Sequence, residues 1–173
     1  MTNKINIKGE KVALSNFQEI DITDKYLSWL NDPEVVQYSR QRFIDHDFLS
    51  SKKYFESFAE SKNLFISIKL LKDNQMIGTM TVYFSMHNTA DVGILIGDKS
   101  QWGKGHGKDA WNSLLMWLEN ELNIVKITAG TLASNIGMLK VIKESGMSLE
   151  AKKNHETIDS KSIDILYFSR FKN

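Results

Sequence analysis

The 173-residue chain has no cysteine and only one proline. Without cysteine, it can form no disulfide, no thiolate nucleophile and no thiolate metal site. Its apolar runs fall short of the roughly 20 residues that a membrane helix requires, and its first residues lack the apolar core of a signal peptide. The net charge of +1 gives no general bias towards nucleic acid or an anionic membrane. These absences predict a cytoplasmic protein that binds neither nucleic acid nor membrane.

The composition is typical of a folded globular protein. Hydrophobic residues make up 42% of the chain and charged residues 25%. The length fits one domain, expected to span residues 1–173. The four histidines are scattered without ligand spacing, so no metal site is expected.

The first sixty residues are predicted to contain one strand and two helices. The residue before a proline avoids the α region, so the first helix ends by Asp32-Pro33. The predicted elements are a strand (residues 11–17), a helix capped by Asp21 or Thr23, a short helical turn (34–38), a loop (39–47) and a helix capped by Ser50 or Ser51.

Strand patterns dominate from Leu64 onward. Asp73-Asn74 is a turn signal between two strands, and Gly93 inside the next strand indicates a bulge or a close approach. The predicted order is a hairpin (64–71 and 75–84), a strand (90–96), an amphipathic helix (107–122), a strand (125–131), a helix from Asn135 to Gly146, and an antiparallel pair (149–153 and 163–171) around a polar loop (154–161). This order predicts a mixed α/β sheet.

Three glycines at alternate positions, Gly103, Gly105 and Gly107, follow the strand 90–96 and lead directly into the amphipathic helix. Glycine lets the backbone turn sharply and approach a ligand closely. The amides of such a turn, with the unpaired amides of a helix's first turn, form a site for phosphate groups. Lys104 and Lys108 flank the turn and only Asp109 opposes them. The stretch therefore predicts a phosphate-bearing cofactor at a helix N-terminus.

Two common nucleotide motifs do not fit this stretch. A P-loop would need glycine where Trp102 stands and Ser or Thr where Asp109 stands. A dinucleotide fingerprint starting at Gly103 meets Lys108 instead of its last glycine, and one starting at Gly105 meets Ala110. That motif also needs an acidic residue at the end of a second parallel strand, which residues 124–130 lack.

Residues 102–107 do resemble the Q/R-x-x-G-x-G/A loop of the GNAT superfamily of N-acetyltransferases, with Trp102 at the Gln/Arg position. Asp91-Val92-Gly93 resembles the family's Glu–hydrophobic–Gly, and residues 131–146 resemble its strand-to-helix stretch with Asn at the helix start. The segment W-L-N-D-P-E-V is similar to the branch containing ribosomal-protein N-terminal acetyltransferases and small-molecule relatives such as amino-sugar acetyltransferases. The similarity extends from about residue 12 to 168.

The resemblance implies a GNAT-type fold, with a mostly antiparallel central sheet flanked by helices and splayed at the cofactor site. It also implies acetyl-CoA as cosubstrate, with the pantetheine arm paired to the strand around Ile94–Ile96 and the Leu95 amide stabilising the oxyanion. The residues expected to bind acetyl-CoA are Ile94, Leu95, Ile96, Trp102, Gly103, Lys104, Gly105, His106, Gly107, Lys108 and Asn135.

Asp91 is the carboxylate that the resemblance favours as general base, acting through a water; the alternative is a solvent-facing or lysine-paired side chain. Asn135 can equally be an ordinary helix cap. Tyr38, Tyr83 and Tyr167 are candidates for the general acid, and the sequence singles out none of them. Met138 and Ile142 stand where many relatives have Ser and Tyr or Phe, so the family's usual acid does not transfer to this chain.

Tyr38, Arg40 and Arg42 are expected on the acceptor side, where the two arginines favour an anionic acceptor or are simply solvated. We predict direct attack of a primary amine on the thioester in a ternary complex, because no cysteine exists to carry an acyl group. A small amine such as an amino sugar is favoured over a protein N-terminus. A non-catalytic acetyl-CoA sensor, a different nucleotide ligand and a homodimer all stay open.

Overall fold

A computed structural model describes residues 4–158 and 161–172, without the side chains of residues 155–158 and 161. The strands are β1 (Asn6–Lys8), β2 (Val12–Asn16), β3 (Leu64–Leu70), β4 (Met76–Ser85), β5 (Thr89–Ile96), β6 (Lys126–Leu132), β7 (Ser148–Ile158) and β8 (Lys161–Phe171). The helices are α1 (Asp24–Leu30), α2 (Phe48–Ala59), α3 (His106–Asn120) and α4 (Ile136–Glu144), with short 3-10 helices at Glu19–Asp21, Arg40–Phe43 and Lys99–Gln101.

The eight strands described form one sheet in the order β1-β2-β3-β4-β5-β6-β8-β7. Every neighbouring pair is antiparallel except β5 and β6, which are parallel. The predicted mixed, mostly antiparallel sheet with flanking helices is confirmed. The single parallel pair follows from the chain's path, because α3 carries it from the end of β5 back to the start of β6.

The sheet splays at the parallel pair. Strand β5 pairs with β4 over its whole length, from Thr89 to Ile96, but with β6 only from Thr89 to Asp91. Beyond Asp91 the two strands separate, so the later part of β5 has backbone groups without a neighbouring strand on one side. This gap opens towards the glycine turn at the N-terminus of α3.

Each face of the sheet has its own hydrophobic core. Helix α3 places Trp111, Leu114, Leu115 and Leu118 against one face, and all four are fully buried, as their helical spacing predicts. An aromatic cluster around Phe17, Tyr26, Trp29, Phe58 and Phe65 covers the other face beneath α1 and α2.

A close contact in the second core ties α1 to the end of β5. Gly97 follows β5 directly, and a Cβ at this position would lie only 2.2 Å from the Trp29 ring. The indole can therefore pack flat on the backbone only because residue 97 has no side chain.

The structure corrects several predicted boundaries. The polar segment 154–161 was expected as a loop, but β7 continues to Ile158 and β8 begins at Lys161, because backbone pairing in an antiparallel ribbon does not require apolar side chains. Residues 34–38 form hydrogen-bonded turns, including one helical bond from the Val36 amide to the Asp32 carbonyl oxygen (3.1 Å), but no continuous helix. Helix α2 is capped by Asp47 in a reciprocal box with Ser50, so it starts earlier than predicted, while Thr23 caps α1 as expected.

Candidate active site

The gap beside β5 exposes the backbone of alternate residues. The Gly97 amide donates to the Ile77 carbonyl oxygen of the segment entering β4 (2.9 Å), and the Leu95 carbonyl oxygen lies 2.2 Å from the Cβ position of Gly78 in β4. Residues 95 and 97 thus direct their backbone groups towards β4. Because these directions alternate along a strand, those of Ile94 and Ile96 face the gap.

This geometry corrects one predicted role. The Leu95 amide was expected to stabilise the oxyanion, but the Leu95 backbone faces β4 while its side chain packs with the aromatic core. The amides that the gap presents belong to Ile94 and Ile96. The sequence could not distinguish them, because the direction of an amide depends on the register between β5 and β4.

The glycine turn forms a backbone cradle at the start of α3. Gly103 and Gly105 have φ angles of 71° and 83°, a left-handed conformation that suits glycine. Gly105 is the N-cap residue and supplies no side-chain cap, and the first helical bond runs from the Asp109 amide to the Gly105 carbonyl oxygen (3.0 Å). The amides of residues 106–108 therefore precede the helical hydrogen-bond ladder. Such a cradle fits a diphosphate.

A second set of contacts fixes this cradle from behind. Asp109 accepts hydrogen bonds from the backbone amides of Glu10 (3.1 Å), Lys11 (2.8 Å) and Val12 (3.0 Å). The Lys11 ammonium donates to the Lys104 carbonyl oxygen (2.9 Å). The β1–β2 turn thus holds both the loop and the first turn of α3. Neither the contact of Lys11 nor the structural role of Asp109, which the sequence presents only as a charge opposing phosphate, can be predicted from local patterns, because these partners lie about a hundred residues apart in the chain.

Of the cradle's titratable side chains, Lys108 has an ion-pair partner, whereas His106 has a buried ring nitrogen without a partner among the described residues. Lys108 forms an ion pair with Glu144 of α4 (2.7 Å). The Nδ1 atom of His106 is buried without a hydrogen-bond partner among the described residues. Burial, together with the charges of Lys11 and Lys104, lowers the pKa of His106 below its ordinary value. The lowered pKa disfavours the charged form of the ring, so an anion in this position is recognised mainly by the backbone amides.

Trp102 stands at the Gln/Arg position of the motif, but its side chain contacts the backbone of β5. Its indole Nε1–H donates to the Ile96 carbonyl oxygen (2.7 Å), and the ring is about two-fifths exposed at the rim of the groove. The indole therefore ties the cradle to the end of β5, a role that a Gln or Arg contact to a phosphate does not provide.

Replacing Trp102 by Phe keeps an aromatic ring but removes the donor to Ile96. We expect the free energy of unfolding to fall by about 1 kcal/mol, the net value of one hydrogen bond. Urea denaturation of the wild type, Trp102→Phe and Trp102→Ala measures it. The alanine variant also loses the ring packing and should be less stable than the phenylalanine variant; equal stability of wild type and Trp102→Phe would contradict this role.

The cradle and the gap line one continuous groove of about 880 Å³. Asn135 lies in its wall and caps α4, with its side-chain oxygen accepting from the Met138 amide (3.1 Å). Met138 also lines the groove, whereas Ile142 is fully buried in the core. Of the two positions that differ from many relatives, only residue 138 therefore reaches the site. All the residues predicted to bind acetyl-CoA line this groove except Lys104.

A second cavity of about 680 Å³ adjoins the groove, and Gln37 and Tyr38 belong to the walls of both. Arg42 and Asp45 line this second cavity, whereas Arg40 does not, although both arginines lie in the same 3-10 helix. The structure thus brings Tyr38 and Arg42 together on the expected acceptor side and leaves Arg40 outside it.

Asp91 lies where β5 and β6 separate, opposite Thr128. The Thr128 hydroxyl donates to the Asp91 carboxylate (2.6 Å). The side chain is exposed overall, but burial around the carboxyl group raises the pKa of Asp91, and the bond from Thr128 partly offsets that rise. Asp91 shares a sheet face with its cross-strand neighbour Tyr83 and is outside the walls of both cavities.

The three candidate tyrosines occupy different places. Only Tyr38 lines the two cavities. The Tyr83 hydroxyl is 3.0 Å from the Tyr54 hydroxyl, and Tyr167 packs over Gly130 of β6. The structure therefore distinguishes Tyr38 from the other two by its position.

The described residues were expected to hold neither a metal site nor a membrane-spanning helix. Among the side chains described, those of residues 4–154 and 162–172, no three His, Asp or Glu come together as ligands for a metal ion. None of the helices described has the length and apolar character needed to cross a membrane.

Comparison with known proteins supports this geometry. The family profile described as "Acetyltransferase (GNAT) domain" matches residues 11–148. A Bacillus subtilis protein named "Probable N-acetyltransferase YjcK" is 27% identical, over 86% of this chain and 87% of its own. The Methanocaldococcus jannaschii protein MJ1062, which is uncharacterized, is 26% identical over 90% of this chain, and this chain spans only 32% of its length.

Solved structures show the same fold. The ribosomal-protein-S5-alanine acetyltransferase of Vibrio fischeri superposes with a TM-score of 0.82 at 17% identity, covering 98% of this chain and 97% of that one. The spermidine N-acetyltransferase of Vibrio cholerae, solved with CoA and spermine, has a TM-score of 0.81 at 17% identity, covering 93% and 95%. With the profile, the splayed strand and the glycine cradle in agreement, the chain belongs to the GNAT family of acetyltransferases, whose cosubstrate is acetyl-CoA.

Proposed function

We propose that this protein transfers the acetyl group of acetyl-CoA to the primary amine of a small molecule. The observation that carries the proposal is the junction of two cavities at Gln37 and Tyr38. One cavity contains the phosphate cradle and the exposed edge of β5. The other is lined by polar and apolar side chains of the α1–α2 connection, together with Leu132, Ser134 and Ile163. Donor and acceptor entering from these two sides meet at the gap.

On the donor side, the backbone amides of residues 103–108 hold the diphosphate, and Asn135 borders the same groove. The gap-facing amide of Ile96 pairs with the pantetheine arm. The bound cosubstrate supplies an activated acetyl group as a thioester. The Ile94 amide, further into the gap, then stabilises the negative charge that develops on the carbonyl oxygen.

On the acceptor side, the amine must lose a proton before it can attack. Asp91 lies at the apex of the gap, outside the cavity walls, so it takes this proton through an intervening water. Its raised pKa brings it closer to the basicity that such a role needs. Tyr38, at the junction of the cavities, is placed to protonate the departing thiolate.

The acceptor cavity favours a small molecule over a protein N-terminus. Its volume of about 680 Å³ is in the range of ordinary small-molecule sites, roughly 300–1,000 Å³. Amino sugars fit such a volume. Of the two structural neighbours, one is named for a ribosomal protein and the other for spermidine, a small polyamine, and both classes of acceptor belong in the test.

The test is a release assay for free thiol with acetyl-CoA and a panel of acceptors: amino sugars, polyamines, amino acids and peptides with free N-termini. We expect transfer to at least one small amine, with the acetylated product identified by mass spectrometry. Transfer to peptides alone would favour the protein-directed alternative. Tight binding of acetyl-CoA in calorimetry, without transfer to any amine, would instead identify a sensor.

A further inference from the structure

The guanidinium group of Arg42 makes two contacts. Its Nη1 donates to the Gln37 carbonyl oxygen, and the group lies over the Phe43 ring, with Cζ 4.6 Å from the ring centroid. One edge of the group is therefore occupied by the backbone, and one face is covered by an aromatic ring. These contacts position the side chain at the wall of the acceptor cavity.

The opposite edge of the same group has no acceptor. Nε and Nη2 of Arg42 are both buried, and neither makes a hydrogen bond to any residue that the structure describes. The guanidinium group carries a positive charge, and two of its donors are thus buried without an acceptor. Burying a charge is costly unless it is paired, and each unsatisfied donor adds to that cost.

The two unpaired nitrogens are the pair that recognises anions. The N–H groups on Nε and Nη2 point in parallel along one edge of the guanidinium plane and match the two oxygens of a carboxylate or phosphate. Asp45 lines the same cavity, but across the described part of the chain no ion pair joins it to Arg42. The anion that fits this edge must come from a ligand, and the side chain must rotate to present the edge to the cavity.

From this arrangement we infer that the acceptor carries an anionic group, a carboxylate or a phosphate, bound by Arg42 while its amine lies at the junction beside Tyr38. This inference rests on the proposed function and names the class of acceptor more closely. A polyamine or an unmodified amino sugar lacks the anionic group that would satisfy the Arg42 edge. An amino sugar phosphate, a nucleotide-linked amino sugar or an amino acid supplies it.

The experiment compares acceptors that differ only in this group: glucosamine 6-phosphate with glucosamine, and 4-aminobutyrate with its amide. For each pair, kcat/KM is measured by thiol release in the wild type, Arg42→Gln and Arg42→Lys. Lys53→Gln is the control, because Lys53 is an exposed cation of α2 outside both cavities. Binding of the two charged probes is also measured by calorimetry in saturating CoA, which fills the phosphate cradle.

We expect the wild type to favour the charged member of at least one pair by about 10- to 100-fold, the range of a hydrogen bond to a charged group. Arg42→Gln should lower this preference to near unity, Arg42→Lys should retain part of it, and Lys53→Gln should retain all. The pair that responds distinguishes phosphate from carboxylate. An equal preference in the wild type and Arg42→Gln overturns the inference, as does the absence of binding of both charged probes.

The calorimetric measurement separates this inference from the proposed function. Binding of a charged probe that Arg42→Gln abolishes, without acetyl transfer to any amine, supports the anion site and counts against the enzymatic proposal. If acceptors without a carboxylate or phosphate are acetylated as fast as those that carry one, the enzymatic proposal is supported and the anion site is contradicted.

Discussion

Asp91→Asn is expected to lower kcat/KM by about 10²- to 10⁴-fold, the usual contribution of a general base. The carboxylate lies at the apex of the gap, on the sheet face of Tyr83, and has the raised pKa that burial produces. Asparagine keeps the shape and can still accept the bond from Thr128, but it cannot take a proton. Thiol-release kinetics measure the loss, and calorimetry should show nearly unchanged affinity for acetyl-CoA.

The pH profile provides the control for this assignment. A base must be deprotonated to act, so the acidic limb of kcat/KM should lie above the ordinary pKa of an aspartate. Thr128→Val removes a hydrogen bond that lowers the pKa of Asp91, so this limb should move to higher pH. Glu121→Gln removes an exposed carboxylate at the end of α3 and should change neither rate nor profile. Full activity in Asp91→Asn would exclude Asp91 as the base.

Asp109→Ala is expected to lower the free energy of unfolding by about 2–3 kcal/mol. One carboxylate accepts from three consecutive backbone amides, and its removal leaves all three without that partner. The bonds are only partly shielded from water, which limits the loss. Urea denaturation measures it, and Asp109→Asn, which retains one carbonyl oxygen, should be intermediate.

The same substitution should weaken acetyl-CoA binding without touching the groove. Lys11 reaches the Lys104 carbonyl from the turn that Asp109 holds, so loosening this turn loosens the cradle. We expect a several-fold increase in the dissociation constant, measured by calorimetry at a temperature where the variant is folded. Unchanged stability and unchanged affinity would together show that the hydrogen bonds of Asp109 to the β1–β2 turn do not support the cradle.

Local patterns predicted most of the fold. The spacing of Trp111, Leu114 and Leu118 defines the buried side of α3, and the alternate glycines mark the cradle, because both features depend on neighbours within a turn or two. The splay was expected from a resemblance rather than from any residue of β5, since the length over which two strands pair depends on the whole sheet.

The features that the sequence did not predict depend on distant contacts. Asp109 contacts a turn almost one hundred residues away, and the direction of the Leu95 backbone depends on its partner strand. The unpaired edge of Arg42 could not be predicted either, because it depends on where the fold places the Gln37 carbonyl oxygen. The polar residues on either side of residues 159–160 were expected to form a loop, but they belong to an antiparallel ribbon. The pairing of backbone groups does not depend on hydrophobic side chains, so the polar composition gave no sign of these strands.

The shared wall at Gln37 and Tyr38 limits how such an enzyme can acquire a new acceptor. A substitution at either position alters the walls of both cavities. Any gain in activity towards a new amine is therefore offset by weaker binding of the acyl donor. Arg42, Asp45 and Ser134 border the acceptor side alone. Laboratory diversification of substrate range should therefore start with those three positions and leave 37 and 38 untouched.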